Sequence, residues 1–405
     1  MTRDGLGAIH EADVYVGDQC VARLSRAAGG SVRFDYLDEE LRTTAVRADS
    51  VAWTLARSRR DDIRTAAGKV PAFFAGLLPE GVRLEVAATA TGAPATDQMT
   101  VLMAVGADTI GDVRVVPTGI DPPPVSPMFD PVRDRDFTVV AARLTESLDA
   151  DPVALPGVQP KVTATASSPT TPGTSALGIL KLSNSRLPRL VENENFFMSM
   201  AASCGLPAAT TAVVHDSRGR SALLVNRFDR DGPRRVAQED ACQVAGIDPE
   251  SKYRIKTETA LTVLAEACER GGGSRGNALL ELLRLVAFSW LIGNGDLHGK
   301  NLSIHNPDGA WRPTPAYDLV CTQPYAGWRD PMALNMYGRA NRLSRADFLA
   351  AAQRLGLAGS ATAQMLDDLV DAARPWPDLC HTIGYNERTT ELLTRMLTTR
   401  IASLK

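Results

Sequence analysis

Residues 277–293, NALLELLRLVAFSWLIG, are apolar at helical spacing and end on a glycine, and the chain then enters GNGDLHGKN (293–301). The apolar core of that run, LVAFSWLIG, is well short of the ~20 residues a membrane helix needs, so it reads as a buried helix. Asn277 reads as its cap and Gly293 as its end. A buried helix that delivers an aspartate, a histidine, a lysine and an asparagine to one glycine-punctuated loop constrains the chain more than any other feature.

The residues after the loop sharpen the constraint. NLSIH and AWRPTPAYDL flank NPDG, a turn signal with glycine last. Folding that hairpin brings Asn301, at its start, near Asp318, at its end. Asp296, Asn301 and Asp318 then converge. Two hard-oxygen ligands, Asn301 and Asp318, suit Mg2+ on nucleotide phosphates, because Mg2+ keeps several waters and takes few protein ligands. The remaining carboxylate, Asp296, is placed to accept a proton from an attacking hydroxyl. The order matches a kinase catalytic loop, its asparagine five residues on, and a second metal-binding aspartate. The usual arginine before the base and Phe-Gly after the second aspartate are replaced by Gly295 and Leu319-Val320, which points to an atypical kinase.

Phosphate charge also calls for a lysine on a strand of the opposite lobe. Lys181 in GILKLS (178–183) stands where it is wanted, and the next helix, ENENFFMSMAASCG (192–205), offers Glu192 and Glu194 as ion-pair partners, with Glu194 favoured. Taken singly, an Asp or Asn in a glycine loop is more often a turn former, and a strand lysine a solvated edge residue. The series of lysine strand, glutamate helix, hairpin, apolar helix, D-x4-N loop, hairpin and aspartate is what carries the reading. His298 is read as orienting the loop or contacting phosphate. His305 lacks metal-ligand spacing and reads as structural.

The rest of the chain bounds the problem. At 405 residues it exceeds a single core. Residues 12–37 read as an antiparallel meander turned at Gly-Asp and Gly-Gly, 71–88 as helix around a Pro-Glu-Gly break, and 106–117 as a closing strand. The domains expected are an N-terminal module at 1–117, a proline-rich linker at 118–135, a nucleotide-binding part at 136–250 and a helical lobe at 251–405. A net charge of −3 and a pI near 6.0 leave no footprint for nucleic acid or an anionic membrane. Basic clusters at 58–60 and 232–235 read as solvated surface. Six scattered cysteines without a C-x-x-C pair, and a polar N-terminus, read as a cytoplasmic protein.

Collectively, FFAGLLPEG (73–81), GADTIGDVRVVP (106–117), LPGVQPK (155–161), GILKL (178–182), VENENFF (191–197), VNRFDR (225–230), QEDACQVAG (238–246), LIGNGDLHGKN (291–301) and PAYDLV (315–320) resemble the HipA family, kinase toxins of bacterial HipBA toxin–antitoxin modules. The resemblance spans nearly the whole chain. GDLHGKN alone is less specific, because small-molecule phosphotransferases share G-D-x-H-x-x-N. The resemblance implies an α+β, two-lobed, atypical protein-kinase-like fold: an N-terminal α/β lobe with a small β-rich coupling module, and a mostly helical C-terminal lobe. It implies ATP and Mg2+, transfer to a protein serine or threonine, a target such as an aminoacyl-tRNA synthetase, and control by a HipB-like helix-turn-helix antitoxin through which any DNA contact is made.

Residue by residue, the resemblance makes Asp296 the base, Asn301 and Asp318 the metal ligands and Lys181 a phosphate contact. GVQPK becomes the phosphate loop, with Gly157, Val158, Gln159 and Lys161. Asn226 and Phe228 meet adenine through backbone atoms, Asp229 lies near the ribose, and His298 and Lys300 complete the nucleotide site. The family often has a serine three residues before the loop glycine, whose autophosphorylation silences the kinase; here Ala154 stands there. That route is closed unless Thr163, Ser167 or Ser168 substitutes, and partner control is expected instead. The competing readings are a small-molecule phosphotransferase and a non-catalytic co-repressor.

Overall fold

The computed structural model describes residues 3–37, 50–56, 63–124, 127–131, 133–146, 155, 159–167 and 175–405. Gly157 and Val158 of the expected phosphate loop, together with Ala154, Pro156, Ser168 and the basic cluster at 58–60, lie outside them.

The N-terminal module is a sheet with helices on it. β1 (Glu11–Val16) and β2 (Gln19–Arg26) form a hairpin at Gly17-Asp18, β3 is Val32–Tyr36, β4 Ile63–Arg64 and β5 Val113–Pro117. The antiparallel order is β4-β3-β2-β1-β5. One face is covered by α1 (Ala72–Gly76), α2 (Val82–Thr91) and α3 (Gln98–Val105), and Phe34, Phe73, Phe74 and Leu102 fill the space between. Helix α3 escapes a periodicity search because all eight of its residues are buried, which leaves no polar face to mark the turn.

The nucleotide-binding part begins with α4 (Phe137–Glu146). A second antiparallel sheet, in the order β6-β7-β9-β8, combines β6 (Lys161–Ser167), β7 (Ser175–Leu182), β8 (Thr211–His215) and β9 (Ser221–Asn226), with α5 (Leu190–Ser203) between β7 and β8. The expected linker at 118–135 is docked near its end. Phe129 is buried and exchanges backbone bonds with Thr163 and Thr165 (3.0 and 2.9 Å), so an extended, proline-flanked residue joins the sheet edge.

Beyond a short ribbon, β10 (Arg230–Asp231) with β11 (Arg234–Arg235), β12 (Ala237–Asp240) pairs with the distant hairpin β13 (Ser303–Asn306) and β14 (Arg312–Pro313). Helices then dominate: α6 (Ala241–Ala245), α7 (Thr257–Arg270), α8 (Arg275–Ile292), α9 (Gln323–Ala326), α10 (Arg345–Arg354), α11 (Gly359–Ala373) and α12 (Glu387–Leu404). Helix α8 is the spine of the largest core, with Phe288, Leu291 and Ile292 fully buried. Its cap is Ser274, not Asn277: Ser274 is extended and its hydroxyl accepts the Asn277 N–H at 3.3 Å. Gly293 ends it in the left-handed region at φ 74°, where a Cβ is strained. Among the described residues no helix is long and apolar enough to cross a membrane.

Candidate active site

The two lobes enclose a cavity of about 580 Å3 walled by Lys161, Lys181, Asp296, Asn301 and Asp318. On the sheet side, antiparallel register sets Lys161 directly opposite Lys181. Like charges in such a pair repel. Burial, and then Lys181, push the Lys161 amine down to about 8. Burial works against charge on Lys181 too, but the carboxylates of Asp318 and Glu194 overcome it and hold the ammonium above its ordinary value.

The Lys181 ammonium bonds to Glu194 at 2.6 Å and to Asp318. Glu194 belongs to the buried face of α5, and burial raises its carboxyl. Glu192, two positions earlier and so on the far side of the helix, pairs with Arg189 at 3.2 Å instead. Asp318 responds the other way. Burial would raise it, but Lys181 and then Lys161 hold it well below the usual carboxylate range. Its φ of 58° is left-handed. Such a non-glycine residue persists only where neighbours enforce it, and Leu319 beside it is fully buried.

Gly293 turns the chain out of α8 into a loop that closes on the Asp296 carbonyl, which accepts from His298 N at 2.8 Å and from the Asn301 amide at 3.0 Å. Asn294 Oδ1 accepts the Asp296 N–H at 2.8 Å. With the Asn301 nitrogen engaged, its amide oxygen is the atom left for a cation. Gly295 replaces the usual arginine for a steric reason: a Cβ there would lie 2.0 Å from Asp330 Oδ2 and 2.6 Å from Thr322 Oγ1. The Asp296 carboxylate accepts the Tyr253 hydroxyl at 2.7 Å.

The other sequence-derived positions divide. Gln159 holds the second lysine strand, its amide donating to Leu182 O at 3.0 Å. Phe228 lines the cavity, edge-on to His305 at 5.9 Å and tilted on Tyr317. Burial pushes His305 down to about 4, so it packs as a neutral ring. Asn226 ends β9, and its N–H already donates to Thr210 O at 2.9 Å. Burial also lowers His298, whose ring lies 5.1 Å from Tyr253. Asp229 reaches the cavity wall, but its carboxylate is spent on Arg227 and Arg230, both at 2.8 Å, and on Gly111 N at 2.9 Å. Lys300 is bound by Glu80 at 2.8 Å rather than standing open to phosphate.

Glu80 and Tyr253 went unnoticed in the sequence. Glu80 is the centre of Pro-Glu-Gly, legible as a helix break and nothing more. Its carboxylate also takes Lys252 at 2.7 Å. Burial opposes its charge, but Lys300 and Lys252 bring the carboxyl down to about 2.

This donor set fits nucleotide phosphates and a hard cation: two buried amines face a carboxylate and an amide oxygen. Among the described residues no three His, Cys, Asp or Glu side chains are arranged to hold a metal by themselves. Mg2+ does not require that, because it is held by one or two protein oxygens plus substrate phosphates.

Comparison with known proteins gives a consistent family. The family model described as HipA-like C-terminal domain matches residues 153–376, and that described as HipA N-terminal domain matches residues 12–116. A candidate kinase of Sinorhizobium fredii, Y4dM, is 32% identical over 328 residues, covering 75% of this chain and 74% of the relative. The serine/threonine-protein kinase toxin HipA of Shewanella oneidensis is 28% identical over 295 residues, 66% of each chain. The structure of the Shewanella oneidensis HipA, HipB and operator DNA complex contains a chain of the same fold, with a TM-score of 0.73 at 22% identity, over 97% of this chain and 96% of that one.

Proposed function

The chain belongs to the HipA family, and from that premise we propose that it is an ATP- and Mg2+-dependent protein serine/threonine kinase. The observation that carries the reading is the Lys181 ammonium bonded to both Glu194 and Asp318 in the wall that also holds Asp296 and Asn301. Charges that converge in a cleft and shift one another's protonation in this way mark a functional site.

In this reading Lys181 and Lys161 receive the nucleotide phosphates, with Gly157, Val158 and Gln159 forming the phosphate loop. Asn226, Phe228 and Asp229 border the nucleoside, and His298 and Lys300 shape the catalytic loop. Asn301 and Asp318 hold Mg2+, which supplies charge neutralisation at the phosphates. Asp296 accepts the proton of a serine or threonine hydroxyl as its oxygen bonds to the γ-phosphorus. The bond from that phosphorus to the leaving oxygen breaks, and ADP departs.

The kinase names of the relatives support the same activity. By the same family logic the acceptor is a translation component such as an aminoacyl-tRNA synthetase, in the cytoplasm, and transfer to it makes the chain a toxin. Its controlling partner is a HipB-like helix-turn-helix antitoxin, supported by the HipA–HipB–DNA assembly of the structural relative. DNA is reached through that partner, consistent with the net charge of −3.

The test is incubation with labelled ATP, Mg2+ and a cell lysate, wild type beside Asp296→Asn. A discrete protein labelled only by wild type is expected, with at least ~100-fold loss in the variant. Labelled small molecules without labelled protein would point instead to a small-molecule phosphotransferase, and no transfer at all to a non-catalytic co-repressor.

A further inference from the structure

Residues 248–254 cross from the N-terminal module to the catalytic loop, and their ion pairs and hydrogen bonds tie one to the other. Lys69 of the module reaches Glu250 at 3.0 Å and Asp248 at 3.4 Å. Glu80 of the module takes Lys252 at 2.7 Å. On the opposite side the Lys252 carbonyl accepts Gly299 N at 3.0 Å, inside the catalytic loop. The next residue is Tyr253. Its hydroxyl donates to Asp296 Oδ1 at 2.7 Å, its ring meets His298 edge-on, and the Lys252 ammonium lies 5.5 Å from the ring centre.

A hydroxyl donating to the Asp296 carboxylate is the bond an acceptor serine or threonine must make before its proton can move. Tyr253 makes it already. The residue is 51% exposed, so beyond the bond to Asp296 and the contacts of its ring with His298 and Lys252 little confines the phenol. Burial of that tip, and then Asp296, hold the phenol above its ordinary value, so it stays a donor.

We propose that Tyr253 is an acceptor gate: in the resting protein its hydroxyl stands on Asp296 in the place of the incoming hydroxyl, and a protein acceptor binds by displacing it. The inference rests on the reading of Asp296 as the base. The gate also shields Asp296 from water, so that a bound nucleotide is not hydrolysed before an acceptor arrives. The strap that carries it is tied to the N-terminal module, so an acceptor that engages the module bears directly on the gate.

The test uses water as the acceptor. The full chain, with Mg2+ and ATP and no second protein, is assayed for ATP hydrolysis as wild type and as Tyr253→Phe, which removes one oxygen and keeps the ring. The expected result is hydrolysis roughly tenfold faster in Tyr253→Phe, the size of one hydrogen bond to a charged group. Affinity for a fluorescent ATP analogue, read without turnover, stays unchanged. Adding Asp296→Asn to Tyr253→Phe returns hydrolysis to that of Asp296→Asn alone. Unchanged or slower hydrolysis with intact analogue binding would make Tyr253 a mere support of the base and overturn the gate. So would phosphate found on Tyr253 by mass spectrometry of wild type incubated with ATP, since the residue would then be an acceptor. Loss of analogue binding by every chain, wild type included, overturns the kinase reading and the gate with it, which sets that failure apart from a failure of the gate alone.

Discussion

Lys181 is the residue on which the site turns. It is bonded to two carboxylates, the buried Glu194 and the half-buried Asp318, and those carboxylates belong to opposite lobes. Removing the amine while keeping the stem, in Lys181→Met, leaves both acids facing each other across the cavity. Breaking a buried pair in this way costs about 3–5 kcal/mol when both partners are enclosed. Asp318 is about a third exposed, so the low end applies. Thermal unfolding should show the loss, and labelled transfer should fall below detection. Glu194→Gln, which keeps shape and a hydrogen bond to the amine, should lower turnover with a smaller drop in melting temperature. Equal stability of Lys181→Met and wild type would mean that the triad is open to water and contributes nothing to the fold. Lys181 and Asp318 were visible in the sequence because strand and hairpin spacing are local. The sequence offered both Glu192 and Glu194 with Glu194 favoured, and the structure separates them, because two helical positions point to opposite sides. Tyr253 and Glu80 were not visible, because a tyrosine in a polar turn and an acid after a proline carry no periodic mark, and their partners lie 43 and 220 positions away.

At the level of elements, legibility followed locality in the same way. The hairpins turned at Gly17 and at Asn306–Gly309 were readable, because the turn residues and the strands they join are neighbours. The pairing of β12 with β13 was not. Its two strands are separated by α6, α7 and α8, and no sequence pattern reports a partner at that distance. The cap of α8 was misplaced by three residues, because GGGSRGN offers both Ser274 and Asn277 and only backbone conformation separates them. That difference is measurable. Ser274→Ala removes the acceptor for the Asn277 N–H and should cost about 1 kcal/mol, while Asn277→Ala, inside the first turn where alanine is the better helix former, should be neutral or slightly stabilising. Urea unfolding of the two variants checks the order, and an inverted order would return the cap to Asn277.

The whole molecule is joined by ion pairs between parts far apart in sequence. Asp108 of the N-terminal module meets Arg227, Arg230 and Arg235 behind the cavity, and Glu80 meets Lys252 and Lys300 in front of it. The module is therefore fastened to the lobe interface on both sides of the site, and acid should loosen the front fastening. The Glu80 carboxyl is brought to about 2, below its ordinary 4.5. A depressed carboxylate contributes stability above its unfolded value and loses it as pH falls through the folded one, so the contribution is complete above about 4.5 and fades towards 2. At 1.36 kcal/mol per pH unit that is on the order of 3 kcal/mol at neutral pH, an upper value because the side chain is 21% exposed. Glu80→Gln should therefore melt several degrees below wild type at pH 7. As pH falls from about 4.5 the gap should narrow, because wild type loses the same charge the variant lacks. Melting curves of both chains between pH 7 and pH 3 decide it. A gap that stays constant with pH would show that the glutamate is held by packing and not by its two lysines, and the module would then be fastened at the back alone.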